Sequence, residues 1–257
     1  MKGGRVRRSP ITTTLGLALA LPLTLGACGD EAVAGRRVVV FAAASLAPAF
    51  GELATAYERR HAGTRVELHC AGTPRLVLQL REGAPADVLA SADEPNMARV
   101  VDRHLVVGAP VVFARNRLAI VTAAGNPRGI TGLADLARAD LRVVLCGPDV
   151  PAGRYARQAL AGARVAVSSV SDEPSVQAVV AKVRLGEVDA GIVYRTDVAA
   201  REGVDMVPLP VEHDVVATYP IAVLASGGDR EGGAAFVAFV TSADGQAVLR
   251  RFGFEVP

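Results

Sequence analysis

Short apolar runs alternate with amphipathic segments along most of this chain. Residues 38–41 are continuously apolar, as in a strand buried on both faces, and apolar side chains then recur at helical spacing over 46–57. The residues between these two segments are small, which permits a sharp turn from strand to helix. The pattern predicts a helix with Ser45 as its N-cap and Pro48 in its first turn.

A strand, a tight turn and a helix start form an arrangement that can bind an anion. Free backbone N–H groups and the positive end of the helix dipole face outward there, beside a hydroxyl group. The same residues also fit a well-capped first helix of an α/β domain with no ligand. The arrangement recurs, because residues 64–70 alternate as a second strand, and Thr73 and Pro74 open the next predicted helix with Thr73 as its N-cap.

The rest of the chain continues the alternation of strands and helices. Strands are predicted over 88–90, 142–146, 164–169 and 190–194, and helices over 131–139, from Arg154, from Val176 and over 236–254. Such alternation implies a parallel sheet with right-handed crossovers, and ligands then collect at the carboxyl ends of the strands.

Two long apolar segments link the two halves of the pattern. Residues 110–122, interrupted by Arg115–Arg117, lead into the second half, and residues 215–224 lead back. We therefore predict an α/β fold of two similar three-layer lobes, joined by two hinge crossings, with a ligand cleft between them. Lobe I is predicted to comprise 36–114 and 217–257, and lobe II to comprise 115–216.

The first 27 residues are typical of an export signal. A basic start precedes the apolar run 11–25, which is too short and too poorly flanked for a stable membrane span. Residues 25–28, Leu-Gly-Ala-Cys, resemble a bacterial lipobox, in which the cysteine, here Cys28, carries the lipid and begins the mature chain. An ordinary secretory signal with an incidental cysteine is the alternative. Residues 28–35 are predicted to form a polar tether.

Composition and charge argue against several classes of function. The formal charge is +2, but removal of residues 1–27, with four basic residues and no acidic one, leaves −2. A nearly neutral protein has no global reason to bind nucleic acid or an anionic membrane. Aromatic residues make up only 4 % and Trp is absent, which disfavours base stacking. The four histidines lack metal-ligand spacing, so no metal site is predicted.

Two cysteines remain beyond the export signal. Cys70 and Cys146 each end a predicted strand, in different lobes. A disulfide between them would link the two lobes covalently and hold the cleft closed. The sequence therefore favours two free, buried thiols.

Seven short motifs occur over nearly the whole chain beyond residue 36: FAAASL at 41–46, GAPADV at 83–88, SAD at 91–93, DVPAGRYA at 149–156, GEVDAGIVY at 186–194, YPIAVL at 219–224 and RFGF at 251–254. In sequence and in order these motifs resemble the molybdate-binding proteins of bacterial ABC importers, a family with the type II periplasmic-binding-protein fold.

The resemblance implies a set of ligand-binding residues. In that family neutral groups hold the oxyanion between the lobes. Carried over by position, these are the hydroxyls and amides of Ser45 and Thr73, the backbone amides of Ala152 and Val176, and the hydroxyl of Tyr194. A fully deprotonated dianion only accepts hydrogen bonds, so a pocket of donors suits it.

Position 73 departs from the usual family pattern. Thr73 followed by Pro74 stands where a serine followed by another small polar residue is commoner. The hydroxyl is retained, but an extra methyl group faces the pocket and the turn is stiffer.

The resemblance also implies a function. We expect a monomeric, lipid-anchored receptor, without a cofactor, that captures molybdate and also tungstate outside the cytoplasmic membrane and delivers it to an ABC permease and its ATPase. A receptor for sulfate, thiosulfate or another tetrahedral oxyanion stays open. An enzyme that transfers phosphoryl or sulfuryl groups in the cleft is the weaker alternative, because no general base or metal site stands out.

Overall fold

A computed structural model describes Met1, residues 35–199 and residues 201–257 of the chain. The predicted export signal, the lipidation site Cys28 and nearly all of the predicted tether lie outside these described residues. Within them, no helix has both the length and the apolar character needed to cross a membrane.

Nine strands alternate with helices along the described part of the chain. The strands are β1 (Arg36–Ala43), β2 (Thr64–Ala71), β3 (Val88–Ala90), β4 (Val106–Ala123), β5 (Val143–Cys146), β6 (Ser169–Glu173), β7 (Ala190–Tyr194), β8 (Val204–Pro208) and β9 (Val216–Leu224). The α-helices are α1 (Ala47–Arg60), α2 (Thr73–Arg81), α3 (Glu94–Val101), α4 (Pro151–Gly162), α5 (Val176–Arg184), α6 (Arg195–Ala199), α7 (Arg230–Thr241) and α8 (Ala243–Arg251). Three 3-10 helices add Ala44–Leu46, Leu133–Ala137 and Val211–His213.

The strands form two parallel groups joined by an antiparallel centre. The spatial order is β2-β1-β3-β9-β4-β7-β5-β6, and β8 also pairs with β4. Strands β1, β2 and β3 are mutually parallel, as are β5, β6 and β7, whereas β4 and β9 run antiparallel to their neighbours. The parallel strands expected from the alternation are confirmed within each lobe. The centre of the sheet is antiparallel, because two strands there cross between the lobes in opposite directions.

The two crossing strands connect the lobes of this α/β fold. Strand β4 pairs with β9 as far as Arg117 and with β7 from Leu118 onward. The predicted interruption at 115–117 does not occur, because these polar residues have partners: Arg117 pairs with Asp214 and Glu255, and Arg115 exchanges two backbone hydrogen bonds with Glu255. The exact lobe boundaries given above remain predictions.

Lobe I has helices on both faces of its strands. Alternate residues of β1 point to opposite faces. Val38 and Val40 belong to the core shared with α1, α7 and α8, whereas Val39 and Phe41 belong to a separate core under α2 and α3. This arrangement produces the three layers that the apolar pattern predicts.

Some predicted elements are displaced or shorter. The strand expected over 164–169 lies at Ser169–Glu173 instead, because Arg164 adopts a positive φ of 55° and its N–H bonds back to Ala161, which terminates α4. The helix expected over 131–139 is only the 3-10 turn Leu133–Ala137. Strand β8 is not evident from the apolar pattern.

Both later cysteines are free, as predicted, but their environments differ. Cys146 is buried, whereas Cys70 is exposed. The expectation of two buried thiols is thus wrong for Cys70, which lies near the end of the outermost strand β2.

Candidate functional site

One small cavity lies where the carboxyl ends of strands from both lobes meet. Its wall is made of small, apolar or hydroxyl-bearing residues: Ala44, Ser45, Gly72, Thr73, Ala92, Val150, Pro151, Ala152, Ser175, Val176 and Tyr194. All five residues that the sequence predicts as ligand-binding belong to this wall. None of the described residues that line it carries a charge.

The size of the cavity suits one small ligand. The space open to the centre of a water molecule is about 20 Å³. A sphere of that volume has a radius of roughly 1.7 Å, and water adds roughly 1.4 Å, so the free space is roughly 3 Å in radius. This is the size of a single tetrahedral oxyanion.

Ser45 lies in the turn between β1 and α1 rather than at an N-cap. It occupies the 3-10 helix Ala44–Leu46, and the N-cap of α1 is Leu46, with no side-chain cap. The predicted capping role of Ser45 is therefore wrong, since the 3-10 turn shifts the N-cap by one residue, to Leu46. Its hydroxyl lies 3.1 Å from the hydroxyl of buried Tyr219.

Thr73 is the first residue of α2, and its predicted N-cap role belongs to Gly72. Pro74, one position further on, fits the first helical turn because its missing N–H needs no partner there. The Thr73 hydroxyl accepts a long hydrogen bond of 3.4 Å from the Ala92 N–H. Its own proton is therefore free for a group in the cavity.

Lobe II contributes two helix starts. Ala152 is the second residue of α4, whose N-cap Val150 makes no side-chain hydrogen bond. Val176 is the first residue of α5, where the side chain of the N-cap Ser175 accepts a hydrogen bond from Ala178 N. The backbone N–H groups of Ala152 and Val176 consequently lack partners within their helices, and each helix dipole places partial positive charge at the cavity.

Tyr194 ends β7 and supplies an unpaired hydroxyl. The residue is 1 % exposed, and its hydroxyl has no hydrogen-bond partner in the described structure. Burial raises the pKa of this hydroxyl well above its usual value, so it keeps its proton at neutral pH. An unpaired buried donor costs free energy, which an acceptor in the cavity would recover.

The lobes touch each other around the cavity. Gln177 Nε2 donates to the Ala44 carbonyl over 2.9 Å, and Arg154 of α4 pairs with Asp93 at the N-cap of α3. A Cβ on Gly72 would lie 2.2 Å from the Pro174 carbonyl oxygen, so only glycine permits this approach. These contacts hold the helix starts of both lobes around one space.

The sequence pattern does not single out the residues that support the cavity. Asp93, Arg154 and Tyr219 lie inside the family motifs SAD, DVPAGRYA and YPIAVL, and that position in a motif is the available signal. Gln177 and Asp197 follow from no signal in the sequence. The two acidic residues of the GEVDAGIVY motif, Glu187 and Asp189, do not line the cavity. Asp189 instead accepts a hydrogen bond from the Arg142 N–H and pairs with Arg128.

A larger groove of about 520 Å³ lies on lobe II along β6. Its guanidinium, Arg157, is already paired with Asp172 and bonded to the Cys146 carbonyl. This groove therefore offers an anion no uncompensated positive charge, and the small cavity is the better candidate.

Comparison with known proteins gives this geometry a family context. The family model described as bacterial extracellular solute-binding protein matches residues 38–255. The molybdate-binding protein ModA of Mycobacterium tuberculosis (strain H37Rv) is 40 % identical over 243 residues, which cover 91 % of this chain and 93 % of that protein.

Two solved structures share the fold. The periplasmic molybdate-binding protein of Azotobacter vinelandii matches with a TM-score of 0.72 at 18 % identity, covering 86 % of this chain and 99 % of that one. The sulfate-binding protein SubI of Mycobacterium tuberculosis H37Rv matches with a TM-score of 0.73 at 21 % identity, covering 86 % and 87 %.

Asp197 should make the stability of the protein depend on pH. Its buried carboxyl accepts the Tyr194 N–H over 3.1 Å, and burial raises its pKa from 3.8 to about 7. Between these values the unfolded chain loses the proton while the folded chain keeps it. The stability contributed by protonated Asp197 is thus complete below pH 3.8 and lost as the pH rises through about 7.

Asp197→Asn should remove this dependence, because asparagine keeps an acceptor for Tyr194 N and stays neutral. The unfolding free energy of the parent, relative to the variant, should fall by on the order of 4 kcal/mol between acidic and neutral pH. Urea unfolding of both proteins across this range measures it. If the unfolding free energies of parent and variant change with pH in the same way, Asp197 does not titrate with a raised pKa.

Proposed function

This chain belongs to the family of bacterial extracellular solute-binding proteins, and from that premise we propose that it captures molybdate outside the cytoplasmic membrane and delivers it to an ABC permease. Tungstate, with the same charge and shape, is the proposed second ligand. The observation that carries the proposal is the cavity itself, which is lined by residues of both lobes, none of them charged among those that the structure describes.

The proposed ligand set is the one implied by the sequence. Ser45, Thr73 and Tyr194 would donate through their hydroxyls, and Ser45, Thr73, Ala152 and Val176 through their backbone amides. Each hydrogen bond to a charged acceptor contributes about 1.5–3 kcal/mol, so seven of them give roughly 10–20 kcal/mol before the costs of desolvation and closure. A dissociation constant in the nanomolar to micromolar range is then reasonable.

The contacts between the lobes support capture by enclosure. An anion held by helix starts of both lobes would favour the arrangement in which Gln177 bonds to Ala44 and Arg154 pairs with Asp93. The Arg154 charge is compensated by Asp93, so selectivity would come from hydrogen-bond geometry rather than from an ion pair with the ligand.

Receptors for other oxyanions and enzymes are the competing functions. The likeness to a sulfate-binding protein is one of fold, whereas the 40 % identical relative is a molybdate-binding protein. The chain's relatives are solute-binding proteins, so we propose binding without turnover.

Titration calorimetry with molybdate, tungstate and sulfate tests the function. We expect molybdate and tungstate to bind with a dissociation constant in about the nanomolar to micromolar range, and sulfate to bind more weakly. No heat with molybdate, or a higher affinity for sulfate, would contradict the proposal.

Substitution of Thr73 tests its proposed role as a donor. Thr73→Ser keeps the hydroxyl, so molybdate affinity should change by less than about tenfold. Thr73→Val keeps the shape but removes the donor, which should weaken binding by about 1.5–3 kcal/mol. Calorimetry gives both affinities, with circular dichroism as the check on folding. Equal affinity of Thr73→Val and the parent would make Thr73 a wall residue only.

We further propose that Cys28 carries a lipid that anchors the protein at the outer face of the cytoplasmic membrane, in reach of its permease and ATPase. Cys28→Ser should abolish labelling by a lipid precursor and release a protein that still binds anion. Membrane fractionation with labelled lipid measures this. Undiminished labelling of the variant would disprove lipidation at Cys28.

A further inference from the structure

Tyr219 lies behind the cavity wall, at the junction of the two lobes. It is fully buried on the crossing strand β9, and its hydroxyl lies 3.1 Å from Ser45 Oγ. Its ring packs edge-on against Tyr194 and Phe254, with ring centroids 5.7 and 5.6 Å away. This packing fixes the place of the Tyr219 hydroxyl, whatever the ligand.

The distance between the oxygens of Ser45 and Tyr219 does not show which of the two hydroxyls donates the hydrogen bond. An anionic ligand in the cavity favours one direction over the other. Each hydroxyl has one proton. If Ser45 donated to Tyr219, Ser45 would turn lone pairs toward a dianion and repel it. If Tyr219 donates, the Ser45 proton is free to point into the cavity. Burial holds the pKa of Tyr219 far above its usual value, so the tyrosine keeps the proton this direction requires.

We propose that Tyr219 donates its hydroxyl hydrogen to Ser45 Oγ and so directs the Ser45 proton toward the bound oxyanion, an inference that rests on the proposed function. The Ala92 N–H donates to the Thr73 hydroxyl and so orients it in the same way, and the Tyr194 hydroxyl has no hydrogen-bond partner among the described residues. All three hydroxyls then face the cavity as donors. Tyr219 is a positioning residue that disfavours oxyanions carrying a proton of their own.

Tyr219→Phe removes the oxygen and keeps the ring packing. Loss of the orienting hydrogen bond should weaken molybdate binding by about three- to tenfold. Ser45 becomes free to accept a hydrogen bond, so discrimination against protonated ligands should also relax. Selenate and hydrogen arsenate are a suitable pair, because at mildly alkaline pH both are tetrahedral dianions of similar size and only arsenate carries a proton. The preference for selenate, measured by competition with molybdate, should fall by at least about threefold.

A double-mutant cycle shows whether Tyr219 acts through Ser45. In a Ser45→Ala background, Tyr219→Phe should change molybdate affinity by less than about twofold. Tyr57→Phe is the matched control, because Tyr57 is also a buried tyrosine but lies on α1 outside the cavity wall. It should leave affinity and anion preference unchanged. The ratio of two affinities is independent of the folded fraction, so a destabilised variant still gives an answer.

The outcomes separate this inference from the function on which it rests. A parent protein that binds no tested oxyanion would overturn the proposed function, and this inference with it. A parent that binds molybdate, alongside a Tyr219→Phe variant with unchanged affinity and unchanged preference, would overturn this inference alone. An equal effect of Tyr219→Phe with and without Ser45 would also overturn it.

Discussion

An anion without protons can be held away from water only by hydrogen-bond donors, and this constraint explains the arrangement around the cavity. Buried charge is costly unless it is fully hydrogen-bonded. Helix starts supply such donors without introducing a counter-charge. The parallel strands of each lobe place those helix starts at one edge, and the contacts Gln177 to Ala44 and Arg154 to Asp93 bring the two edges together.

The crossing strands do more than connect the lobes. Strand β9 places Tyr219 against Ser45 of lobe I and beside Tyr194 of lobe II. Strand β4 places Asn116 within 2.8 Å of the Thr196 hydroxyl, two residues beyond Tyr194. The crossing strands thus contact residues of both lobes beside the cavity: Tyr219 bonds to Ser45 of lobe I and packs against the ring of Tyr194 of lobe II.

The sequence predicts the fold and the cavity wall better than it predicts details of local backbone. Apolar runs locate β3 and β7 correctly, because buried strands in α/β folds have a distinctive composition. The caps predicted at Ser45 and Thr73 are each misplaced by one residue, since a 3-10 turn and a glycine N-cap leave no pattern of their own. The strand expected over 164–169 fails because the left-handed turn at Arg164 is unusual for an arginine. The role of Tyr219 could not be derived from local pattern, because its contact with Ser45 joins segments far apart in sequence. Asp197 contacts nearby Tyr194, but its burial, which raises its pKa, depends on the packing of the folded chain.

The central claim is that a single oxyanion occupies the space between the helix starts of the two lobes. A crystal structure of the protein grown with molybdate, with data collected at the molybdenum absorption edge, tests it most directly. The account predicts one strong anomalous peak inside the cavity, within hydrogen-bonding reach, through its oxygens, of Ser45, Thr73, Ala152, Val176 and Tyr194. A peak in the groove along β6, or no ordered molybdenum, would contradict it.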